Sequence, residues 1–268
     1  MICRSLGYTH QGYKKHEKRL FEKHSEEIEI MREVYSIKHK MPNIGVRKIQ
    51  YLLMEKGYKV GRDRLFELLS INGLLVRPKK RKKYTSASSY ANNRYSNLLE
   101  DLKIDRPNKA WVCDITYIRT ISGFSYLYLV TDYFSRKTLG YHLSKNLESE
   151  NCLITLKKAL KQVDTSENII HHSDHGAQYV SNKYLEFLNK KGFRISLTGP
   201  NHCYDNAVAE RVNNTYKNEF GLGRVFHSDK DLEQACKQAV HIYNNERPHL
   251  ALYYNVPSEV YKTHIVDN

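Results

Sequence analysis

The sequence predicts an α/β protein in which a mixed β-sheet flanked by helices follows a small all-α domain. Residues 25–74 have helical periodicity, residues 110–268 alternate between strand-like and helix-like runs, and the charge differs between the two parts. Residues 1–109 hold 25 Lys and Arg against 12 Asp and Glu, whereas residues 110–268 hold 18 against 17. Nearly all of the net charge of +14 therefore lies in the first part, and we expect two domains with different tasks.

Three helices are predicted between residues 25 and 74. A break at Pro42-Asn43 and Gly45 separates the first helix from the second, and Gly73 ends the third. Residues 1–20 carry only a weak helical pattern. The first helix is predicted from an apolar stripe at helical spacing, Ile28, Met31 and Tyr35. Ile49, Leu52 and Leu53 share one face of the second helix, and Leu65, Leu68 and Leu69 are predicted to point inward from the third.

The second and third predicted helices surround a short turn bracketed by Gly57 and Gly61. Arg62 and Arg64 stand near the start of the third helix, where a DNA-reading helix carries its cations. The pattern predicts a helix-turn-helix in which these two arginines contact DNA. The alternative is a small helical bundle with solvated charges.

A basic and polar linker is predicted over residues 77–105. It separates a helical region at residues 1–76 from a sheet domain with a helical C-terminal tail at residues 106–268. The linker starts with six cations in seven residues, a run that binds phosphates through counterion release without reading sequence. The alternative is a solvated spacer. The predicted phosphate-binding residues are Lys79, Lys80, Arg81, Lys82 and Lys83.

Strand and helix patterns then alternate in the order βββαβαβα. The first three runs predict a meander of antiparallel strands, and the later helices predict crossovers to parallel strands. The predicted strands are Ala110–Ile118, Phe124–Asp132, Thr138–Leu143, Ile169–Ser173 and Arg194–Leu197, and the predicted helices are Glu148–Val163, Asn182–Lys191, Ala207–Phe220 and Asp231–Asn244.

Three carboxylates stand at unusual places in this pattern. Asp114 interrupts the first apolar strand, and alternation places it on the face opposite Trp111 and Cys113. Asp174 ends the fourth strand, and Glu210 lies on the helix that follows the fifth. A carboxylate within an apolar strand is costly to bury unless a positive group compensates it. Carboxylate oxygens are also the ligands that Mg²⁺ prefers, so the three residues predict a two-metal phosphoryl-transfer site.

Each carboxylate also has a structural interpretation. Asp114 could bond a neighbouring backbone group, Asp174 could cap a turn before Gly176, and Glu210 could be a solvated helix residue. The residue types alone therefore leave both interpretations open.

Five stretches of the chain form a set with a distinctive order and spacing: Trp111–Ile118, His172–Tyr179, Asp205–Glu210, Lys217 and Tyr243–His249. This set resembles the transposases of the IS-three insertion-sequence family. The 35 residues between Asp174 and Glu210 match the spacing of the DDE signature in this family and in retroviral integrases. The resemblance covers residue 25 to the C-terminus, and only the stretch Gly199–Cys203 fits the family pattern loosely.

The resemblance implies a ribonuclease-H-like catalytic domain that cleaves and joins DNA strands with two Mg²⁺ ions, with Mn²⁺ able to substitute. It assigns Asp114, Asp174 and Glu210 to catalysis and to metal binding, and it assigns Lys217 to contact with DNA at the element ends. Element-end and target DNA are the implied partners, bound by a homo-oligomer. The chain would be a second-frame product, with an upstream-frame DNA-binding protein as a further partner.

Residues beside the three carboxylates extend the predicted site. Asn213 and Asn214 follow Glu210 by three and four positions, so they share its helical face and are expected to reach DNA. Asp205 is expected to cap the start of this helix rather than to bind metal. The spacing of His171, His172, His175, His202 and Cys203 matches no standard zinc site.

Other functional classes are disfavoured. The chain lacks an apolar run long enough for a membrane helix and lacks a secretory signal, so we expect a cytoplasmic protein that joins the nucleoid when bound to DNA. Five scattered cysteines disfavour a disulfide framework. A DNA transposase is the favoured function. The alternatives are a metal-dependent nuclease of the same fold and a non-enzymatic DNA-binding repressor from a decayed element.

Overall fold

The computed structural model describes Gly7 and residues 9–76, 95–199 and 206–266. The chain forms two compact units, Met1–Pro78 and Lys79–Asn268. No helix within the described ranges is both long enough and apolar enough to cross a membrane. Several residues with a predicted role lie outside these ranges: Lys79, Lys80, Arg81, Lys82, Lys83, His202, Cys203 and Asp205.

The first unit contains helices α1 (His10–Lys40), α2 (Val46–Glu55) and α3 (Arg62–Ile71). Leu65, Leu68 and Leu69 are buried as predicted, and Ile49 and Leu53 are buried on α2. The turn between α2 and α3 is held by the Gln50 side-chain amide, which donates to the Val60 carbonyl over 3.0 Å. Two short helices joined by this turn have the arrangement expected for a helix-turn-helix.

Helix α1 differs from its prediction in length and in its buried face. It begins at His10, and its interior side chains are Ile30, Val34 and Ile37. The apolar stripe noted from helical spacing is not the buried one, because Ile28 is 61% exposed, Tyr35 is 51% exposed and Met31 is only partly buried. The helix carries two apolar stripes at helical spacing, and periodicity cannot tell which stripe meets the other helices.

The second unit is built on one five-stranded sheet. Its order is β3-β2-β1-β4-β5; the pairs β1–β2 and β2–β3 are antiparallel, and β4 is parallel to both β1 and β5. This confirms the predicted meander followed by crossovers. The strands are β1 (Ala110–Thr120), β2 (Gly123–Asp132), β3 (Thr138–Ser144), β4 (Ile170–Ser173) and β5 (Arg194–Leu197). The helices are α4 (Ser149–Leu160), α5 (Asn182–Lys190), α6 (Ala207–Asn218), α7 (Asp229–Asn245) and α8 (Pro257–Val266).

Alternation along β1 divides the apolar side chains between the two faces of the sheet. Trp111 and Cys113 pack with side chains of α4 and α5 in one cluster. Ile118 packs with side chains of α6 and α7 in a second cluster on the opposite face. Because Asp114 is next to Cys113 in a strand, it faces α6 and α7, as the alternation predicted.

Residues 95–99, which were predicted to belong to the linker, lie against strand β5. The Leu98 N–H donates to Ser196 Oγ over 2.9 Å, and Tyr95 packs on the cluster beneath α4 and α5. The sheet unit therefore includes a packed segment before the predicted domain start. Hydrophobic periodicity does not detect this segment, because it forms neither a helix nor a strand.

Candidate catalytic site

The pairing of the parallel strands β1 and β4 sets Asp114, within β1, at the level of Asp174, just beyond the end of β4. Val112 of β1 is paired with His172 of β4, so two residues further along each chain Asp114 stands beside Asp174. Asp174 follows Ser173, the last residue of β4. Neighbouring strands are roughly 5 Å apart, so two carboxylates at one level repel each other strongly.

The Asp114 carboxylate is largely enclosed by protein and holds two hydrogen bonds. Its Oδ1 accepts the Ile115 N–H over 2.8 Å, and its Oδ2 accepts the Asn213 side-chain amide over 2.5 Å. Burial and the charge of Asp174 raise the pKa of Asp114 to about 7, with a smaller contribution from Glu210. A nearby cation would compensate the charge and favour the ionised form of this carboxyl group.

Asp174 is exposed and held by the turn that follows it. Its Oδ1 accepts the Gly176 N–H over 3.0 Å, and a Cβ added at Gly176 would lie 2.9 Å from the same oxygen. The turn-capping interpretation of Asp174 is thus present in the structure. Capping uses one carboxylate oxygen and leaves the exposed side chain able to bind a cation.

Glu210 stands on the first turn of α6, the helix that packs against β1. Partial burial and the charge of Asp174 raise its pKa. Within the described ranges, however, no three His, Cys, Asp or Glu side chains are close enough to hold one metal ion. The structure therefore places Asp114 beside Asp174. Glu210 is close enough to influence the pKa of Asp114, but the three carboxylates do not meet at one metal-binding position.

The residues predicted to contact DNA from α6 occupy different environments. Lys217 is half-buried; burial lowers its pKa, and the charge of Asp114 opposes that shift. Asn214 is exposed. Asn213 is only 6% exposed and its amide bonds Asp114, so this placement does not fit the predicted DNA contact. Asn213 lies on the edge of α6 that meets β1 rather than solvent.

The motif Tyr243–His249 joins α7 to β3 and to the C-terminal end of α6. The Asn244 side chain bonds both the N–H and the carbonyl of Thr138 on β3, each over 2.9 Å. Arg247 forms a buried ion pair with Glu219, the residue that ends α6, with Nη2–Oε2 at 2.6 Å. Sequence analysis singled out this motif without assigning it a task, since its partners lie far away along the chain.

The two arginines predicted to contact DNA from α3 already have acidic neighbours. Arg64 donates from Nε to Glu27 Oε1 over 3.0 Å and from Nη1 to Glu67 Oε2 over 2.6 Å. Arg62 is exposed and pairs with Asp63 at 2.9 Å. Arg64 therefore joins α3 to α1, while Arg62 is the more accessible of the two cations.

The described histidines near the carboxylates lie in protein interior or bond backbone. His171 Nε2 is 3.1 Å from Cys113 Sγ and 2.8 Å from the Tyr184 hydroxyl, on the face opposite Asp114. Burial lowers the pKa of His171 to about 3, so it is neutral. His175 Nε2 lies 2.8 Å from the Thr198 carbonyl. These contacts are those of structural histidines.

Comparison with known proteins identifies the family to which the chain belongs. Two family models described as integrase core domain match residues 104–203 and 191–257. The chain is 32% identical over 231 residues to the transposase for insertion sequence element IS629 of Shigella sonnei, covering 86% of this chain and 77% of that protein. It is 28% identical to the transposase for insertion sequence element IS904 of Lactococcus lactis, covering 81% and 87%.

A solved structure shares the fold. The simian T-cell lymphotropic virus intasome in complex with the PP2A regulatory subunit B56 gamma matches with a TM-score of 0.52 at 15% identity, covering 85% of this chain and 73% of that chain. The fold is therefore ribonuclease-H-like, and the integrase core places the protein among the DDE polynucleotidyl transferases. At the level of sequence the chain belongs to the insertion-sequence transposases, and it is an enzyme of DNA transposition.

Proposed function

We propose that this transposase cleaves and joins DNA strands with Asp114, Asp174 and Glu210 as its catalytic carboxylates. The observation that carries the proposal is the pair on β1 and β4. Asp114 is enclosed, stands at the level of Asp174, and has a pKa of about 7 because of burial and that neighbour. A buried carboxyl group with a strongly raised pKa beside other carboxylates is typical of a functional site.

The donor chemistry fits a hard divalent cation. The three side chains offer carboxylate oxygens, which suit Mg²⁺ and Mn²⁺ better than Zn²⁺. A cation between Asp114 and Asp174 would neutralise the repulsion that raises the pKa of Asp114. Two such ions, when bound, supply activation of the attacking oxygen and stabilisation of the departing one.

The other residues of the site orient the carboxylates or bind the DNA. Gly176 leaves space for Asp174 to turn onto its backbone N–H, and Asp174 then faces solvent beside β1. Lys217, half-buried within the field of Asp114, is suited to hold a DNA phosphate close to the carboxylates. The attacking oxygen comes from water or from a DNA 3′-hydroxyl, so no protein nucleophile is needed.

The first 109 residues are proposed to supply most of the DNA affinity. They carry nearly all of the net positive charge, and α2 and α3 have a helix-turn-helix arrangement with the exposed Arg62 at the start of α3. The basic run at residues 79–83 would add phosphate contacts that weaken steeply with salt. Membership of the IS-three subgroup, a homo-oligomer on DNA and an upstream-frame partner are proposed with it, on the resemblance of the motifs.

The test is a single-turnover assay on labelled insertion-sequence ends with a target duplex. The transposase is expected to give nicked ends and strand-transfer products with Mg²⁺ or Mn²⁺ and none with Zn²⁺ alone. Cleavage without joined products would instead identify a nuclease of the same fold. DNA binding without any cleavage would identify a repressor, and Zn²⁺-dependent cleavage absent with Mg²⁺ would refute the metal assignment.

A further inference from the structure

We propose that Asn213 is a positioning residue that, together with Asn206, locks helix α6 onto strand β1 and holds the Asp114 carboxylate ready for its cation. The proposal rests on the assignment of Asp114 to metal binding. It concerns two buried side-chain amides, that of Asn213 on α6 and that of Asn206 at the residue before α6.

The contact of Asn213 with Asp114 joins the two elements of the site directly. The Asn213 amide donates to Asp114 Oδ2 over 2.5 Å, while the Ile115 N–H occupies Oδ1 over 2.8 Å. A carboxylate only accepts hydrogen bonds, so the nitrogen of the amide must face it. With one donor on each oxygen, the carboxylate cannot rotate freely, and its remaining lone pairs keep a defined direction.

Asn206 makes the matching contact one residue earlier on β1. Its side-chain amide donates to the Cys113 carbonyl over 3.1 Å, and the side chain is 5% exposed. Asn206 and Asn213 are seven residues apart, almost two helical turns, so they lie on one face of α6. They therefore fasten the helix to β1 at the consecutive residues Cys113 and Asp114.

The buried side chains of Asn206 and Asn213 favour a fixed geometry over maximal stability. The carbonyl oxygens of both asparagine side chains are buried and have no hydrogen-bond partner within the described ranges. Each such unsatisfied oxygen costs free energy that an apolar residue of similar size would avoid. The asparagines are explained if the donated hydrogen bonds have a task, which is to fix α6 and Asp114 relative to each other.

Glu210 lies between the two fastening points, four residues after Asn206 and three before Asn213. A helix held at both points cannot turn about its axis or slide along β1. The distances from Glu210, on the first turn of this helix, to Asp114 and Asp174 are therefore fixed. Loss of either amide would loosen the relation between the third carboxylate and the first two.

Asn189, which is exposed on helix α5, provides a matched control. Asn213→Leu removes the buried donor, whereas Asn189→Leu makes the same change at an exposed position of a helix on the opposite face of the sheet. Mn²⁺ binding by the full-length protein without DNA is followed from the electron paramagnetic resonance of the free ion. Thermal unfolding, DNA affinity, and kcat and KM for strand transfer are measured alongside. Asn213→Leu is expected to weaken Mn²⁺ binding by about tenfold or more and to lower kcat with KM for DNA unchanged.

Asn189→Leu is expected to change neither Mn²⁺ binding nor kcat. Equal Mn²⁺ binding by folded Asn213→Leu and wild type would overturn the proposal while the proposed function stands. A wild type that neither binds Mn²⁺ nor transfers strands would instead remove the proposed function. If Asn213→Leu does not fold, Asn213→Ala takes its place, and unchanged Mn²⁺ binding by that variant counts equally against the positioning role.

Discussion

Cys113 and Asp114 are adjacent in strand β1 and meet opposite environments. Cys113 lies beside the neutral His171 among apolar side chains of α4 and α5. Asp114 lies beside Asp174 and below α6, which brings a buried amide, a half-buried lysine and a third carboxylate. Burial pushes both His171 and Asp114 toward their neutral forms. On the α6 face, the neighbouring carboxylates and the exposed side chain of Asp174 would let a bound cation restore the charge of Asp114.

The α6 face is expected to show the largest effect of mutation. Replacing Asp114, Asp174 or Glu210 by Ala should each lower strand transfer by at least about 10³-fold, and double replacements should cost little more, because a partly built site is nearly inactive. DNA binding should persist, since most of the positive charge lies in residues 1–109. Single-turnover strand transfer and DNA affinity measure both properties.

Asp164, an exposed aspartate in the loop that follows α4, serves as the control for these replacements. Asp164→Ala should leave strand transfer unchanged. Strand transfer retained in Asp174→Ala would show that the pair on β1 and β4 is not the catalytic centre.

The two faces should respond in opposite directions to pH in metal-free solution. The pKa of Asp114 is raised to about 7 in the folded state, so the folded state binds the extra proton and stability falls as pH rises from about 4 to 7. The pKa of His171 is lowered to about 3, so the unfolded state binds the extra proton and stability falls as pH drops below about 6.5.

Two variants separate these opposing trends. Asp114→Asn should raise the free energy of unfolding at pH 8 by an amount on the order of a few kcal/mol, and it should steepen the loss of stability in acid. His171→Gln should remove part of that acid sensitivity. Denaturant unfolding between pH 4 and 8 in the presence of a chelator gives both curves, and parallel shifts in the two variants would contradict the assignment.

A smaller effect, on stability alone, is expected on the α4 face. A Cβ at Gly140 of β3 would lie 2.5 Å from the Thr155 carbonyl oxygen and 2.9 Å from the Ala159 nitrogen, both in α4. Gly140→Ala should lower the free energy of unfolding by about 1–3 kcal/mol through overpacking. Strand transfer per folded molecule should stay at the wild-type level. Urea unfolding tests the first expectation, and an activity loss without a stability loss would show that the two faces are not separable.

Periodicity and residue type were sufficient to predict the sheet. Alternation in β1 placed Asp114 on the face opposite Trp111, and apolar runs with crossover helices predicted the order of strands. The three carboxylates were predicted from their positions at strand interiors and ends and from motif spacing, and their catalytic role stays a prediction. These signals are local, so they can be read from a few neighbouring residues.

Contacts between distant residues were decided only by the tertiary structure. Arg64 was predicted to contact DNA, but its guanidinium donates to Glu27, which lies 37 residues earlier in the chain. Asn213 was predicted to face DNA, but α6 turns it onto Asp114, 99 residues away in sequence. In α1 two apolar stripes were equally periodic, and packing against α2 and α3 selected Ile30, Val34 and Ile37.

Sequence by itself therefore determined the secondary-structure order, the face of β1 that carries Asp114, and the chemistry available to the site. The tertiary structure decided which polar groups meet. One example is the ion pair between Arg247 and Glu219 at the C-terminal end of α6. The physical reason is that helical and strand periods follow from backbone geometry within one element. The partner of a buried amide or ion is chosen instead by the packing of elements that are far apart in the chain.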